Sequence, residues 1–446
     1  MQNSAARVLQ QPNYIPDDAP RDETMCDATR SKYHYWRWRI MYTTIFGYAT
    51  FYLVRGNFAM AMPTLENEFG YTTFQLGIIV SIFYWTYGIG KFVNGYFSDR
   101  SNARYFMTAG LVGSATVNYF MGLGSSLIFF GFFWTINACF QSMAWPPIAR
   151  LLTHWFAPKE LGTKWGFWNC SHQIGGALIF IFSGYVIQWI SWQAVFYIPA
   201  IIATIMSLFL FNRLRDTPRS LGFPPVEVYK GLPTPKATEE DDLPQRELIR
   251  RVLENKLLWY VCIANMFLYL VRMGVFTWAP WFLQERGSSI IMSGWQAAAF
   301  ELAGLGGGVC AGFVSDRLFH GRRGPVGFIY MLGLIVALFC LWILPAGYAS
   351  IDALILFAIG FLVYGPQVMV GVAAADFASK KAAGMATGLT GTFGYLGAGL
   401  SGIGIGLIMP HWGWSGSFLF FIFSAIAGAF FFALTWHSRA KSLDHQ

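Results

Sequence analysis

Charge is what this sequence lacks. Only 12% of its 446 residues are Asp, Glu, Lys or Arg, against about 25% in soluble domains. That shortage excludes an ordinary soluble enzyme or binding module. In its place, apolar runs of about 20 residues recur along nearly the whole length, as membrane-crossing helices require. Paired cysteines are also missing: Cys26, Cys139, Cys170, Cys262, Cys310 and Cys340 are spaced for neither a zinc site nor a disulfide framework, and most lie within apolar runs. No Walker loop, metal-ligand cluster or nucleophile–base pair can be read from the chain, so neither an enzyme nor a cofactor is expected. Residues Gly397 to Gly402 spell Gly-x-Gly-x-x-Gly. They sit in an apolar helical run with no strand before them and no ribose-binding acid after, so close helix packing explains them better. The first 37 residues hold no apolar core of the kind a cleaved signal needs.

What is present is a membrane pattern. Apolar runs, read against charge and Gly/Pro punctuation, predict helices at 38–61, 74–97, 105–123, 127–151, 163–188 and 193–212, and six more at 257–284, 292–314, 325–344, 350–375, 382–408 and 413–436. The expected fold is an all-α membrane protein of twelve transmembrane helices in two six-helix halves. It divides into a tail (1–37), an N-terminal half (38–212), a linker (213–256), a C-terminal half (257–436) and a last tail (437–446). The linker is rich in charge and proline, includes Glu239-Glu240-Asp241-Asp242, and reads as solvated. With both termini inside, all but four of the 31 Lys and Arg fall on the inner side. This satisfies the positive-inside rule and accounts for the net charge of +8 without a nucleic-acid partner.

The four exceptions carry the functional reading. Arg286 lies outside, whereas Arg55, Lys91 and Arg272 lie inside predicted helices. A cation at the centre of an isolated helix costs about 2.5–3.5 kcal/mol. Ion pairing between helices is limited by supply, because Glu301 is the one carboxylate at mid-helix. Snorkelling to a surface is weak for arginines about a dozen residues into their runs. The remaining reading is a cationic, water-accessible cavity that takes an anion. Arginine forks match phosphate or carboxylate oxygens, and phosphate is largely dianionic at neutral pH.

The two arginines also belong to a repeat. Tyr52-Leu53-Val54-Arg55 returns 217 residues later as Tyr269-Leu270-Val271-Arg272, and Ser98-Asp99-Arg100 returns at the same offset as Ser315-Asp316-Arg317. The chain is therefore two copies of one unit, each contributing an arginine. Tyr48 and Tyr52 precede Arg55 by seven and three residues on one helix face, and Tyr87 stands one turn before Lys91. His172 is the one histidine of seven inside a predicted helix, beside Asn169, Ser171 and Gln173; the group reads as a hydrated cavity wall, with packing as the alternative. The Gly-x-x-x-Asp-Arg segments read as turns after helices 2 and 8. Their glycines permit tight helix approach, and Asp99, Arg100, Asp316 and Arg317 are candidate gating residues that latch one conformation.

The two-by-six pattern and the repeated Gly-x-x-x-Asp-Arg segments resemble the major facilitator superfamily. Tyr52 to Arg55, Ser98 to Arg104, Trp145-Pro146-Pro147, Trp168-Asn169-Cys170, Asp216-Thr217-Pro218 and Tyr364-Gly365-Pro366 resemble its organophosphate:phosphate antiporter family. Ser98 to Phe106, Ala149 to Thr153 and Ala373-Ala374-Ala375 are similar to the bacterial hexose-phosphate transporter and sensor branch. The resemblance implies exchange of a sugar or glycerol phosphate for inorganic phosphate by rocking of two halves. It assigns the paired arginines to Arg55 and Arg272, the helix-2 lysine to Lys91, the helix-5 histidine to His172 and a helix-8 acid to Glu301. It assigns the cavity tyrosines to Tyr48, Tyr52, Tyr87, Tyr364 and Tyr395. Trp145, Asn169 and Gln367 complete the expected substrate contacts. Relatives carry Lys after the first arginine and Asp in helix 7, where this chain has Gly56 and Thr277, which reads as a lost gating pair. Where the hexose-phosphate carrier has an Asp and Lys in helix 11, this chain reads Ala386-Thr387-Gly388-Leu389-Thr390.

The expectation is thus an antiporter of glucose 6-phosphate or another hexose 6-phosphate against inorganic phosphate. A glycerol 3-phosphate carrier and a membrane sensor working with a kinase are the alternatives. The resemblance implies a bacterial inner membrane with both termini cytosolic, and a monomer is expected.

Overall fold

The computed structural model describes residues 27–231, 245–378 and 382–438, which are helical almost throughout, with no strand among them. Of the expected tail 1–37, residues 1–26 lie outside the described residues, as do the acidic tract Glu239 to Asp242 and the last tail beyond 438, while residues 27–37 are not tail but the first turns of a helix that runs to Leu53. In the first half the helices are α1 (Asp27–Leu53), α2 (Asn57–Phe69), α3 (Thr73–Arg100), α4 (Ala103–Met121), α5 (Leu127–Gln141), α6 (Trp145–Trp155), α7 (Pro158–Trp189) and α8 (Ala194–Arg213). Short α9 (Val226–Tyr229) and α10 (Gln245–Glu254) follow. The second half holds α11 (Lys256–Glu285), α12 (Ile290–Arg317), α13 (Arg323–Ile343), α14 (Ala349–Phe377) and α15 (Ala383–Ala433).

Among the described residues these helices make twelve membrane paths. Nine stretches are long and apolar enough to cross as they stand. One of them, α15, is two helices joined at Gly413, whose φ of 56° breaks the run. The broken pair α1–α2 and the shorter α4 supply the other two paths. Helix starts are set by small polar caps: Thr72 accepts from the Gln75 N–H (3.2 Å) while Gln75 accepts from the Thr72 N–H (2.9 Å), a capping box at the entry to α3. Pro146 and Pro147 open α6, where a missing N–H costs nothing. Large apolar side chains such as Phe92, Ile128, Leu208 and Phe423 face outward along the bundle. Water would not tolerate such a belt, whereas lipid requires it.

The two halves meet along two seams, α3 against α15 and α7 against α12. At the end of the bundle farthest from both described termini the seams are tight. A Cβ on Gly77 would strike the Gly402 carbonyl at 2.5 Å, one on Gly294 the Phe180 carbonyl at 2.5 Å, and one on Gly184 the Ile290 carbonyl at 2.9 Å. Gly399 and Gly402 sit in the first seam, which bears out close packing as the use of that glycine run. At the near end, where the termini emerge, Gly95, Gly166, Gly312 and Gly388 on the same four helices have nothing within 4 Å. The halves form a wedge, shut at the far end and parted at the near end.

Two expectations change. The Gly-x-x-x-Asp-Arg segments are the last turns of α3 and α12, not loops after them, and Gly95 and Gly312 pack against nothing here. The stretch after α8 is docked where it is described. Pro218 and Val226 are buried, Tyr229 stacks on Tyr33 (4.0 Å between centroids), and Asp216 pairs with Arg150 (3.0 Å). Its charge and proline masked a sparse apolar face of Leu221, Phe223 and Tyr229. Helix α10 likewise sets Leu248 and Val252 against Leu258, Cys262 and Ala386.

Candidate functional site

Arg55 and Arg272 occupy the middle of the wedge, 6% and 3% exposed. Neither makes an ion pair among the described residues, and the Nε of each is buried without a partner. Arg55 stands in the non-helical link between α1 and α2. Its guanidinium lies over Tyr87 (4.7 Å to the ring centre), Tyr52 (5.4 Å), Phe83 (5.6 Å) and Tyr84 (5.7 Å). Arg272 lies inside continuous α11, over Tyr364 (4.6 Å) and Tyr269 (5.4 Å). The ring faces supply negative quadrupole without a competing carboxylate.

Tyrosines join the two arginines across the seam. Tyr87 of α3 meets Tyr395 of α15 at 4.6 Å, and Tyr395 meets Tyr269 at 5.7 Å. Lys91 enters the same wall, its Nζ 4.3 Å from the ring of Trp145 and 5.7 Å from that of Tyr395. Gln367 donates to the Tyr269 hydroxyl at 3.4 Å, while its own Oε1 is buried and unpaired. His172 packs beside Tyr48 (4.7 Å) and Tyr52 (5.6 Å), its Nδ1 2.8 Å from the Asn169 carbonyl. Asn169 thus contributes backbone here.

Glu301 is fully buried and reaches Arg272 only through Tyr364. Arg272 donates to the Tyr364 hydroxyl (3.0 Å), which donates to the Glu301 carboxylate (2.7 Å). The carboxylate lies against the other half, where a Cβ on Gly176 would come within 2.8 Å of it. Beside Arg55 is a cavity of about 20 Å³ lined by Phe58, Tyr84, Trp134 and Thr277 among others, room for about one water.

Every ion pair among the described residues lies within one half or its flanking segments, and none joins the two halves. The hydrogen bonds between halves among the described residues are neutral. Tyr84 and Thr277 share a hydrogen bond of 3.0 Å, Ser81 donates to the Gly399 carbonyl at 2.6 Å, and Trp85 donates to the Leu396 carbonyl at 3.3 Å. The position after Arg55 has no room for a lysine as packed here: a Cβ on Gly56 would already meet Ile179 at 2.6 Å and Phe276 at 3.3 Å.

The gating candidates lie apart from this site, at the near end. Asp316 pairs with Arg323 (2.5 Å), which also reaches Asp376 (3.3 Å). Asp99 offers its carbonyl to Arg150 (2.7 Å), and Arg100 folds onto Tyr96 (3.6 Å). Neither Asp99, Arg100 nor Arg317 makes a side-chain ion pair among the described residues. Sequence reasoning missed Tyr84 and four buried amides, Asn57, Asn118, Asn137 and Gln141, and read Thr277 only as part of a lost gating pair. Amides inside apolar runs were the available signal.

Comparison with known proteins bears on this geometry. The Major Facilitator Superfamily description matches residues 44–402. A protein named "Probable hexose phosphate transport protein" from Chlamydia pneumoniae is 41% identical over 454 residues, covering 99% of each chain. A "Glycerol-3-phosphate transporter" from Bacillus subtilis (strain 168) is 40% identical, covering 96% of this chain and 98% of that one. In structure, a bacterial homologue of the human lysosomal transporter Spinster, solved inward-facing and unoccupied, aligns with a TM-score of 0.75. It covers 90% of this chain and 97% of that one at 15% identity, a likeness of fold alone.

Proposed function

Because this chain belongs to the major facilitator superfamily and is a multi-pass membrane transporter of the organophosphate group, we propose that it exchanges a hexose 6-phosphate, glucose 6-phosphate first, for inorganic phosphate. The phosphoryl group is clamped between Arg55 and Arg272. One observation supports this reading: two guanidiniums, one from each half, are buried at mid-bundle with no carboxylate among the described residues bound to either directly. Buried cations without counterions are costly, and a phosphate dianion satisfies both with bidentate bonds. Lys91 adds positive field from the side. The sugar hydroxyls meet Gln367, Gln173, His172 and Tyr395. Of the named relatives, one is named for hexose phosphate and one for glycerol 3-phosphate, so glycerol 3-phosphate is the competing substrate.

The wedge supplies the path. With both termini cytosolic in a bacterial inner membrane, the parted near end faces the cytosol, where an anion enters. Bridging the two arginines draws the halves together, the near-end glycine faces of α3, α7, α12 and α15 close, and the far seam opens. Free phosphate returns through the same site. One chain supplies both arginines of the proposed clamp, which supports a monomer as the working unit.

Uptake of labelled glucose 6-phosphate into phosphate-loaded proteoliposomes, with unloaded vesicles as control, tests the reading. Uptake that depends on internal phosphate supports exchange, and stronger competition by glycerol 3-phosphate would reassign the substrate. Binding without flux in either case would make the chain a sensor.

A further inference from the structure

The tetrapeptide Tyr-Leu-Val-Arg has different backbones in its two copies. Tyr269 to Arg272 run inside unbroken α11, whereas α1 stops at Leu53 and Val54, Arg55 and Gly56 form a turn before α2, in which the Gly56 N–H still reaches the Tyr52 carbonyl at 2.9 Å. A break strands carbonyls that a helix would have satisfied, and in an apolar interior each must find another donor. The Arg55 N–H goes to Tyr52 (3.2 Å), which leaves the Phe51 carbonyl. The Phe58 N–H goes to the Asn57 side chain (3.1 Å), which leaves the Val54 carbonyl.

Those two oxygens receive side-chain amides from neighbouring helices. Gln141 of α5 donates to the Phe51 carbonyl at 3.1 Å, and the Val54 carbonyl accepts from Asn118 of α4 and Asn137 of α5, both at 3.0 Å. Asn57 ties the set together, donating to Asn118 Oδ1 at 2.7 Å and to the Val195 carbonyl at 3.1 Å. Asn57, Asn118 and Asn137 are fully buried and Gln141 is 2% exposed. In the second half, α13 contains no Asn or Gln, and the positions 217 residues after Asn118, Asn137 and Gln141 are Ile335, Leu354 and Ala358. No amide stands at those positions to donate to freed carbonyls, and α11 is continuous.

We infer that Asn118, Asn137 and Gln141 are positioning residues for Arg55: they hold the helix break that turns its guanidinium onto Tyr52 and Tyr87, and so set the affinity for a phosphoryl group they do not touch. The inference rests on the arginine-pair reading above. It makes the two forks of the clamp unlike each other. Tyr364 steadies Arg272 on a continuous helix, whereas amides from two other helices steady Arg55 on a break.

The test is phosphate-dependent thermal stabilisation of the purified full-length protein in detergent, using inorganic phosphate as the probe. Gln141→Met keeps the side chain's length and removes its donor, and Asn137→Leu removes one of the two donors to Val54. Each is expected to melt as a folded protein without phosphate but to need about tenfold to a hundredfold more phosphate for half-maximal stabilisation, as misplacement of a binding group predicts. Combined with Arg55→Lys, Gln141→Met should add little further loss. Combined with Arg272→Lys, it should impose its full loss. Wild-type phosphate affinity in both single variants, or equal losses on the two arginine backgrounds, would overturn the positioning role. If Asn137→Leu does not fold, Gln141→Met carries the test alone. No stabilisation of the wild type by phosphate would overturn the arginine-pair reading itself, and this inference with it.

Discussion

Replacing Tyr364 with Phe removes one oxygen atom from the second half of the site. That oxygen accepts from Arg272 at 3.0 Å and lies 2.7 Å from both oxygens of Glu301. Hydrogen bonds to charged groups contribute about 1.5–3 kcal/mol each, and Glu301 has no access to water to replace the one it loses. Direct pairing with Arg272 is the nearest relief, and it cancels the positive charge that a phosphoryl group needs. Loss of one such bond's worth of anion binding weakens phosphate affinity by about 10- to 150-fold. Adding Glu301→Gln removes the competing carboxylate, so the double variant should recover much of the affinity, with a coupling of about 1 kcal/mol or more. Inhibition of labelled-phosphate exchange by unlabelled phosphate in proteoliposomes measures each variant. Wild-type affinity in Tyr364→Phe, or strictly additive effects in the double variant, would refute the reasoning.

Three further outcomes follow from the seams. Thr277→Val removes the 3.0 Å bond to Tyr84, and a neutral bond of about 0.5–1.5 kcal/mol shifts the far-end closure equilibrium about 2- to 13-fold. In a background lacking the native cysteines, a cysteine at Ala59, which lines the cavity beside Arg55, should then be labelled faster by a membrane-impermeant thiol reagent, and an unchanged rate would remove Tyr84 and Thr277 from the gate. Gly176→Ala places a methyl 2.8 Å from the Glu301 carboxylate, so it should force the α7–α12 seam apart and slow exchange; full exchange activity would mean the seam is looser than the geometry requires. Because no ion pair among the described residues joins the halves, Ala59Cys labelling in wild type should stay constant between about 0.05 and 0.5 M salt, and a several-fold change would point to charged contacts between them.

The sequence was most legible where membrane cost is highest. Cations without carboxylate partners, a tetrapeptide repeated at a fixed offset and the asymmetry of loop charge led to two halves and a central site, because lipid penalises each feature strongly enough to leave few explanations. The structure draws Arg55, Arg272, Lys91 and Tyr87 together with Tyr395 and Tyr364, two tyrosines that only the family resemblance pointed to. What stayed hidden depends on partners distant in sequence. Identical letters at Tyr52 and Tyr269 gave no sign that one copy is broken, since the break is decided by Asn118, Asn137 and Gln141 on other helices. The docked stretch from Pro218 to Tyr229 was also obscured, because four or five apolar residues among charges and prolines have no period to detect. Glu301 read as a lone acid, whereas its link to Arg272 through Tyr364 spans 63 positions from Glu301 to Tyr364 and 92 from Tyr364 to Arg272.

The central claim is that a phosphoryl group is held between the forks of Arg55 and Arg272. Exchange of labelled inorganic phosphate in proteoliposomes carrying Arg55→Lys or Arg272→Lys tests it most directly, since each change keeps the charge and removes the fork. The account predicts that either substitution greatly reduces exchange while the protein remains folded and inserted. Wild-type exchange from either variant would contradict it.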